Sequence, residues 1–365
     1  NADFAKRIKE NTNILVCLVG AVLDPKEADQ LIKDGYADCC MFGRALVADP
    51  YWPKKILNGN EEEIVPCIRC MHCYHIATEH WNIQCSVNPR FRRENRMCMS
   101  MPISTTKKKV VIIGGGVAGI VAALSCDKQG HDVTLFEKEN HLGGLLKYAS
   151  KGPFKQDLRR YWNYLLNQVN KSSIDVRLHT LANVENVSKL KPDRLIIATG
   201  SLSRHLNIPG NEKMMDSLRA IENPDEVKNK VIIVGGGSIG MELALELDLL
   251  GKDVTVVEYT GEIASNGNKL YKIGLRHHLD ASNVKVLTNA SLSKVNDKDA
   301  EVLKDGENLH LEYETIIDCT GRIPNNLDSF DFYKVCKDTV MIGDCNRVGS
   351  IVDAVNVAYF VGKSL

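Results

Sequence analysis

A glycine-rich pattern that occurs twice constrains the fold of this chain more than any other feature. The two copies consist of Gly114, Gly116 and Gly119, and of Gly235, Gly237 and Gly240. Each copy lies between an apolar strand pattern and a helical one, and an acid, Glu137 or Glu258, follows at the same spacing. Such a turn lets the backbone approach a pyrophosphate, while the acid suits a ribose hydroxyl. The chain is therefore predicted to contain two Rossmann-like dinucleotide-binding units.

The two copies predict two bound dinucleotides, FAD and a nicotinamide. Glu258 favours NADH over NADPH, because residues 259–261 offer no basic partner for a 2′-phosphate. Strand patterns at residues 195–197, 315–317 and 340–342 predict that the second unit is inserted into the first. The predicted domains are an FAD-binding domain over 108–228 and 316–365 and a nicotinamide-binding domain over 229–315.

The first sixty residues show a different alternation. Short apolar runs at 13–19 and 37–42 are each followed by a helical pattern, at 25–33 and up to about residue 57. These are two βα units, predicted as the end of a TIM barrel over 1–60. A complete (β/α)₈ barrel needs about 250 residues, so roughly three quarters of it would lie upstream.

Four cysteines at metal-site spacing fall in the segment 61–107, the rest of which is predicted as a linker. They are Cys67, Cys70, Cys73 and Cys85. Three closely spaced thiolates and one distant one favour a [4Fe–4S] cluster over zinc, which usually takes two C-x-x-C pairs. Structural cysteines are the third alternative. The nearby His72, His75 and His80 are expected to be surface residues or neighbours of the ligands rather than ligands. The cysteines on apolar strands and helices, such as Cys17, Cys39, Cys126 and Cys345, are expected to be small core residues.

Composition excludes several classes of function. Forty-six basic residues balance forty-six acidic ones, so no net charge draws the chain to nucleic acid or to an anionic membrane. No apolar run approaches the ~18 residues of a membrane span, and no signal peptide is visible. Twelve cysteines in such a chain indicate reduced thiols and a cytoplasmic location. The expected partner is a small-molecule substrate, and the sequence also allows a homo-oligomer.

The order of these motifs resembles a known family, the multidomain NADH:flavin oxidoreductases of the old yellow enzyme class. That class includes 2,4-dienoyl-CoA reductase, 2-enoate reductase, trimethylamine dehydrogenase and the bile-acid-inducible reductases. The matching text is VGAVLDP (19–25), FGRALVADP (42–50), CIRCMHC (67–73), CSVNPR (85–90), GGGVAG (114–119), HLGG (141–144), ATG (198–200), GGGSIG (235–240), TGRIPN (320–325) and IGD (342–344). The match corresponds to the C-terminal portion of the family and covers essentially the whole chain.

The resemblance implies particular cofactor contacts. It implies that Gly20, Gly43 and Arg44 bind the phosphate of FMN, and that the four cysteines are ligands of the [4Fe–4S] cluster. It implies FAD contacts for Gly114, Gly116, Gly119, Glu137, Gly143, Gly144 and Asp344. The family commonly has Gly-Gly where this chain has Gly20-Ala21. The change keeps a backbone N–H, so phosphate binding there is still expected.

The resemblance also implies an activity. Electrons would pass from NADH through FAD and the [4Fe–4S] cluster to FMN, which would reduce an activated C=C bond of enoate or enoyl-CoA type. The family places its substrate pocket and proton donors in the upstream barrel, so no catalytic residue is assigned here. One alternative is an amine dehydrogenase of the same architecture, and another is a fragment that acts only as an electron-transfer module.

Overall fold

Strands and helices alternate along most of the computed structural model, which describes residues 1–95, 103–265 and 267–364. Residues 96–102, a part of the predicted linker, lie outside the described residues. The elements up to residue 95 are α1 (Ala2–Asn11), β1 (Cys17–Val19), α2 (Pro25–Lys33), β2 (Cys39–Met41), α3 (Arg44–Ala48), α4 (Trp52–Leu57), a 3₁₀ helix (Glu61–Glu63) and α5 (His72–Thr78).

The first two strands form a parallel pair in which Cys17 lies opposite Cys39. Helix α2 has the predicted bounds because Asp24 caps it. The Asp24 carboxylate accepts a hydrogen bond from the Lys26 N–H at 2.8 Å, and Pro25 occupies the first turn, where its missing N–H costs nothing. One face of this strand pair packs with α1 and α2 in a small apolar core that includes Leu18.

The expectation that Cys17 and Cys39 are core residues is wrong. Both thiols are exposed, and Cys40 is half-buried. Side chains alternate between the two faces of a strand, so only one face of β1 and β2 packs on the small core and the other points to solvent. Cys126 and Cys345 are buried, as expected.

The elements after residue 103 form two similar units and a connecting ribbon. They are β3 (Lys109–Ile113), α6 (Val117–Asp127), β4 (Asp132–Phe136), α7 (Leu145–Ala149), α8 (Gln156–Asn170), β5 (Asp175–Arg177), α9 (Val184–Ser188), β6 (Arg194–Ile197), β7 (Ser201–Ser203), β8 (Met215–Asp216), α10 (Ser217–Glu222), β9 (Lys230–Val234), α11 (Ser238–Leu249), β10 (Asp253–Val257), α12 (Lys269–Asp280), β11 (Lys285–Leu287), β12 (Ala290–Val295), β13 (Asp299–Lys304), β14 (Glu307–Glu312), β15 (Thr315–Asp318), β16 (Arg322–Pro324), β17 (Thr339–Met341) and α13 (Ile351–Lys363). Short 3₁₀ helices lie at Asn211–Lys213, Pro224–Glu226, Leu327–Lys334 and Gly343–Cys345.

The first unit is a parallel sheet in the order β17-β6-β3-β4-β5. Its central strands β3 and β6 are nearly continuous apolar runs because helices cover both faces, and Ile112 and Ile196 are fully buried. Helix α13 packs closely on α6. A Cβ placed on Gly362 would lie 2.6 Å from the Cβ of Ser125, so only glycine allows this approach.

The second unit repeats this arrangement in the order β8-β15-β9-β10-β11, again parallel. Its sheet includes Met215–Asp216 and Thr315–Asp318, so it extends beyond the predicted range 229–315 on both sides. The antiparallel pair of β7 and β16 connects the two units where the chain leaves the first sheet and returns to it.

The sequence analysis missed a three-stranded antiparallel sheet of β12, β13 and β14. Its apolar side chains, among them Leu292 and Val302, pack on one face of the second parallel sheet. The sequence did contain a signal for it. Residues 307–312 alternate polar and apolar, and the Asp305-Gly306 pair before them has φ values of 52° and 87°, as a tight hairpin turn requires.

Within the described ranges, none of the helices combines the length and the apolar character that a membrane crossing needs.

The close contact between α13 and α6 predicts that two Gly→Ala substitutions change the free energy of unfolding differently. We expect Gly362→Ala to lower the free energy of unfolding by about 1–3 kcal/mol, since its Cβ overlaps α6. Gly274→Ala, on the exposed face of α12 with open space around its Cβ position, should be neutral or stabilise by about 0.5–1 kcal/mol. Urea unfolding of both variants checks this, and equal midpoints would contradict the close packing.

Candidate functional site

The first glycine fingerprint forms a turn in which a side chain is excluded at two positions. Gly114 has φ 104°, and a Cβ there would collide with the Ala198 carbonyl. A Cβ on Gly119 would collide with the Gly114 carbonyl, so α6 rests directly on the turn. Gly116, in contrast, faces open space within 4 Å. A backbone amide at a helix N-terminus beside open space is the arrangement that a pyrophosphate needs.

The acid at the end of β4 is held by the same turn. One Glu137 oxygen, Oε2, accepts a hydrogen bond from the Gly115 N–H at 2.7 Å, and the other, Oε1, accepts from the Glu139 N–H at 2.8 Å. Glu137 is only 7% exposed. Its carboxylate is therefore fixed beside the turn, where it can accept hydrogen bonds from a ribose.

The predicted Gly143-Gly144 pair lies against this turn. The Gly143 N–H donates to the Gly115 carbonyl at 2.8 Å, and a Cβ on Gly144 would lie 3.0 Å from the Cα of Gly116. Behind the pair, the Trp162 indole N–H donates to the Leu142 carbonyl at 3.0 Å. A second backbone segment thus borders the open space beside Gly116.

Asp344 lies beside α6, the helix that follows the first fingerprint. Its neighbour Gly343 has φ 66°, and a Cβ there would lie 2.9 Å from the Cβ of Ala118 in α6. The Asp344 carboxylate accepts from the Ser201 hydroxyl at 3.0 Å and from the Gly349 N–H at 3.1 Å. Ser350 caps α13, and in the capping box the Asp353 carboxylate accepts from the Ser350 N–H at 2.8 Å. Asp344 is therefore free of a capping role and stays a predicted FAD contact.

The second fingerprint has the same geometry. Gly235 has φ 107°, and a Cβ on Gly240 would collide with its carbonyl, while Gly237 faces open space. The Glu258 carboxylate accepts from the Gly236 N–H at 2.5 Å. It also accepts from the Thr260 N–H at 2.7 Å and from the Thr260 hydroxyl at 2.6 Å, so this acid is held from both sides.

The four predicted cluster cysteines are close neighbours in space. Cys67 interacts electrostatically with Cys70 and Cys73, and Cys85 interacts with Cys67 and Cys70. Negative charge on these neighbours adds to the rise in the pKa of Cys67, Cys73 and Cys85. The Cys70 thiol also lies 3.2 Å from the Ser86 hydroxyl.

Burial is the main influence on these thiols. It raises the pKa of Cys67 and Cys73 and raises the pKa of Cys85 to about 12. Backbone N–H groups act in the opposite direction: that of Arg69 donates to Cys67, and those of Val87 and Asn88 donate to Cys85. Backbone donors aimed at buried sulfur suit bound thiolates, which a metal's positive charge stabilises. Within the described residues, no group of three or more His, Cys, Asp or Glu side chains is arranged around a single metal ion.

The segment that carries Cys67, Cys70 and Cys73, the cysteine loop (residues 67–73), contacts both nucleotide units. No pattern in the sequence predicts these contacts. Arg69 pairs with Asp157 on α8 of the first unit, with 2.5 Å between Nε and Oδ2. The Asn268 side chain, which caps α12 of the second unit, donates to the Cys70 carbonyl at 3.1 Å. Arg69 and Met71 have φ values of 47° and 58°, so the loop is held in a left-handed shape that such residues rarely adopt.

The two predicted FMN-phosphate turns lie at the carboxyl ends of adjacent parallel strands. Gly20 follows β1 with φ 126°, and Gly43 follows β2 with open space around its Cβ position. Ala21 has φ 57°, which explains why glycine suits that position. The Arg44 guanidinium lies against the cysteine loop, with Nη1 2.8 Å from the Met71 Sδ. Phosphate binding by these residues stays a prediction.

The neighbouring histidines are not all on the surface. His72 Nε2 and His75 Nδ1, on α5, are buried and have no hydrogen-bond partner within the described residues. Burial lowers the pKa of His72. No sequence signal distinguished these rings from an exposed one such as that of His80.

Comparisons with known proteins identify a family model and several relatives that match this chain. The family model described as "Pyridine nucleotide-disulphide oxidoreductase" matches residues 108–337. The NADH oxidase of Thermoanaerobacter brockii is 33% identical over 369 residues, covering 98% of this chain and 56% of that protein. The cinnamate reductase of Clostridium sporogenes is 30% identical over 366 residues, covering 98% of this chain and 54% of that protein.

Among solved structures, a 2-naphthoyl-CoA reductase in complex with 2-naphthoyl-CoA superposes with a TM-score of 0.95 at 27% identity. It matches 100% of this chain, and the matched region is 56% of that protein. The chain thus spans about half the length of these relatives. The matches confirm the resemblance predicted from the ordered motifs.

Substitutions in the two fingerprints are expected to impair the binding of different cofactors. In Gly119→Ala, the new Cβ would push α6 off its turn, and we expect loss of bound FAD. Gly240→Ala should retain FAD and weaken NADH binding by about 5- to 150-fold, as overpacking of about 1–3 kcal/mol implies.

Released-flavin absorbance and NADH titration measure the two effects, with Gly274→Ala as the matched control. Wild-type FAD content in Gly119→Ala, or loss of FAD in Gly240→Ala, would contradict the assignment of the two sites.

Proposed function

Because the chain belongs to the pyridine nucleotide-disulphide oxidoreductase family, we propose that it carries electrons from NADH toward reduction of an activated C=C bond. Membership of this family of oxidoreductases implies FAD and a nicotinamide dinucleotide. The activities for which two matched relatives are named, cinnamate reductase and 2-naphthoyl-CoA reductase, support an enoate or enoyl-CoA substrate. The chain spans about half of each, so the activity is proposed for an enzyme of their length.

One observation carries this proposal: the cysteine loop is joined to both nucleotide units. Arg69 pairs with Asp157 of the first unit, and Asn268 of the second donates to the Cys70 carbonyl. A group that receives electrons from one bound dinucleotide must lie close to it, because transfer between carriers requires proximity. The loop meets that requirement through direct contacts of its own residues.

We propose that the loop holds a [4Fe–4S] cluster through Cys67, Cys70, Cys73 and Cys85. Negative charge on Cys70 adds to the rise in the pKa of Cys67, Cys73 and Cys85, so these thiols interact electrostatically. A tetrahedral zinc site needs its ligands around one ion, whereas a polynuclear cluster takes each thiolate at a different corner. The spacing of three close cysteines and one distant one, together with the backbone N–H donors to sulfur, favours the iron–sulfur alternative.

The remaining proposed assignments follow the geometry. Gly114, Gly116 and Gly119 would hold the FAD pyrophosphate, with Glu137 on its ribose. The second fingerprint and Glu258 would hold NADH in the same way, in a unit nested within the first. When bound, FAD would accept the hydride of NADH as an electron pair, and the cluster would carry single electrons onward to FMN near Gly20, Gly43 and Arg44.

NADH is favoured over NADPH because Glu258 is a fixed anion. Its two oxygens accept three hydrogen bonds, from Gly236 and Thr260, so the carboxylate cannot turn away from the ribose position. A 2′-phosphate there would meet negative charge and lose its hydration without gaining a partner.

An amine dehydrogenase of the same architecture is the alternative. In such an enzyme the second nucleotide site has no role, whereas the second fingerprint here keeps the full geometry of the first. Anaerobic addition of NADH distinguishes the two. We expect bleaching of the bound flavin absorbance, and no bleaching with stoichiometric FAD present would favour the amine reaction.

Loss of one cluster ligand should stop electron transfer beyond FAD and leave the reduction of FAD unchanged. We expect Cys70→Ala to leave NADH-dependent reduction of FAD intact while onward reduction of FMN falls at least 100-fold, because the ligand set is incomplete. Stopped-flow absorbance under anaerobic conditions separates the two phases. Cys336→Ala, a buried cysteine packed against Phe332 and Leu195, serves as the matched control. FMN reduction at the wild-type rate in Cys70→Ala would exclude the relay.

A further inference from the structure

The two nucleotide units are joined covalently at one place. The chain leaves the first sheet through β7 and returns to it through β16, and these two strands pair with each other. Because both crossings lie in one two-stranded ribbon, the second unit can turn about that ribbon without breaking a hydrogen bond of either parallel sheet. The relative orientation of the units therefore depends on non-covalent contacts outside the ribbon.

Buried apolar side chains do not supply those contacts. Within the described residues, the two apolar clusters of the first unit have no member between residues 199 and 331. The two clusters of the second unit lie wholly within residues 206–319. A polar boundary of this kind leaves two units free to move unless specific contacts fix them.

Ion pairs cross the boundary instead. One segment of the first unit, from Lys147 to Lys155, faces acids of the second unit, and we call it the lysine segment. The Lys147 Nζ lies 3.0 Å from Oε1 of Glu222, and the Lys151 Nζ lies 3.8 Å from the same oxygen. Lys155 pairs with Glu242 on α11. We call these three contacts the inter-unit ion pairs.

The lysine segment is held in a defined shape. Arg159 on α8 donates through Nη1 to the carbonyls of Ser150 and Gly152, at 2.7 and 2.8 Å. A Cβ on Gly152 would lie 3.1 Å from Oε2 of Glu246 on α11, so glycine allows the segment to approach the second unit closely. The lysines are therefore presented by a fixed backbone rather than by a free loop.

The ion pair of Lys155 acts on the helix of the second fingerprint. Glu242 lies on α11, whose N-terminus we propose binds the NADH pyrophosphate, and its Oε1 also accepts from the Tyr271 hydroxyl at 3.1 Å. A ring contact accompanies the pair, with 5.3 Å between the centroids of Phe154 and His278. The lysine segment thus contacts both helices, α11 and α12, that flank this side of the second unit.

We propose that the inter-unit ion pairs position the second unit for hydride transfer from NADH to FAD, with the three lysines as positioning residues. The inference rests on the proposed function, since it requires both dinucleotides. A hydride passes only between groups in contact, and a misplacement of about 1 Å can lower such a rate by about 100-fold. The paired side chains are partly exposed, so salt weakens their attraction.

The experiment reverses one ion pair and then restores it with the opposite polarity. In Lys155→Glu two anions face each other. We expect the limiting rate of NADH-dependent FAD reduction to fall by about tenfold or more, while the NADH concentration for half-maximal rate changes by less than about threefold. Adding Glu242→Lys should restore most of the lost rate, because opposite charges face each other again. Anaerobic stopped-flow absorbance of the FAD-loaded protein measures both parameters.

Salt gives a second readout, with opposite signs in the two proteins. Raising the salt concentration from about 0.05 M to about 0.5 M should slow FAD reduction in the wild type, where it screens an attraction, and speed it in Lys155→Glu, where it screens a repulsion. Small-angle X-ray scattering follows the orientation itself. We expect the radius of gyration to rise with salt in the wild type, and to exceed the wild-type value in Lys155→Glu at low salt.

Lys189→Glu is the matched control. Lys189 pairs with Glu185 four residues before it, within the first unit, so its reversal changes the net charge equally without touching the boundary. We expect the wild-type rate and wild-type scattering from this variant. Lys155→Gln removes the charge without reversing it, should lower the rate less than Lys155→Glu, and provides the same test if the reversal variant does not fold.

Three results would overturn the proposal. One is a Lys155→Glu protein with the wild-type limiting rate and wild-type scattering. Another is a fall in rate that the double variant does not recover. The third is a control as slow as Lys155→Glu, because net charge would then be the cause. Failure of the proposed function looks different: NADH does not reduce FAD even in the wild type, while scattering still reports whether the ion pairs fix the orientation.

Discussion

Each nucleotide unit depends on one point where a helix touches a turn too closely for any side chain. At Gly119 in the first unit and Gly240 in the second, a Cβ would collide with the carbonyl of the first fingerprint glycine. This contact sets the distance of the helix N-terminus from the strand. It also leaves the middle amide of the turn free to bind the acid at the end of the next strand, as Gly115 binds Glu137 and Gly236 binds Glu258. The open space beside Gly116 and Gly237 follows from these constraints.

Patterns within short stretches of the sequence predicted the elements that depend on interactions between neighbouring residues. The bounds of α2 followed from Asp24 and Pro25, and both acids were found at their strand ends because fingerprint spacing is fixed by one strand–helix–strand unit. The antiparallel sheet of β12, β13 and β14 was missed although its hairpin signal at Asp305-Gly306 was present. The exposure of Cys17 was also missed, since an apolar run alone does not tell whether one face of a strand or both are covered.

Contacts between distant parts of the chain had no sequence signal. Asp157, Asn268 and Arg44 all touch the cysteine loop. Nothing in the sequence around Asp157 or Asn268 distinguishes them from surface residues, and the motif that singled out Arg44 did not predict its contact with Met71. They nevertheless hold a loop with two non-glycine residues in left-handed conformation, each of which costs about 1–3 kcal/mol. The loop keeps this shape because three separate elements hold it, and the backbone N–H groups that face sulfur depend on that shape.

The strand order of the first sheet has a consequence for the synthesis of the chain. Its edge strand β17 and the helix α13, which packs on α6, follow the whole second unit in the sequence, while the second sheet is built from the uninterrupted range 215–318. During translation the second unit can complete its own sheet while the first still lacks an edge strand and a covering helix. The unpaired edge of β6 stays open for that interval, so the emerging chain is most vulnerable to aggregation before β17 and α13 have left the ribosome.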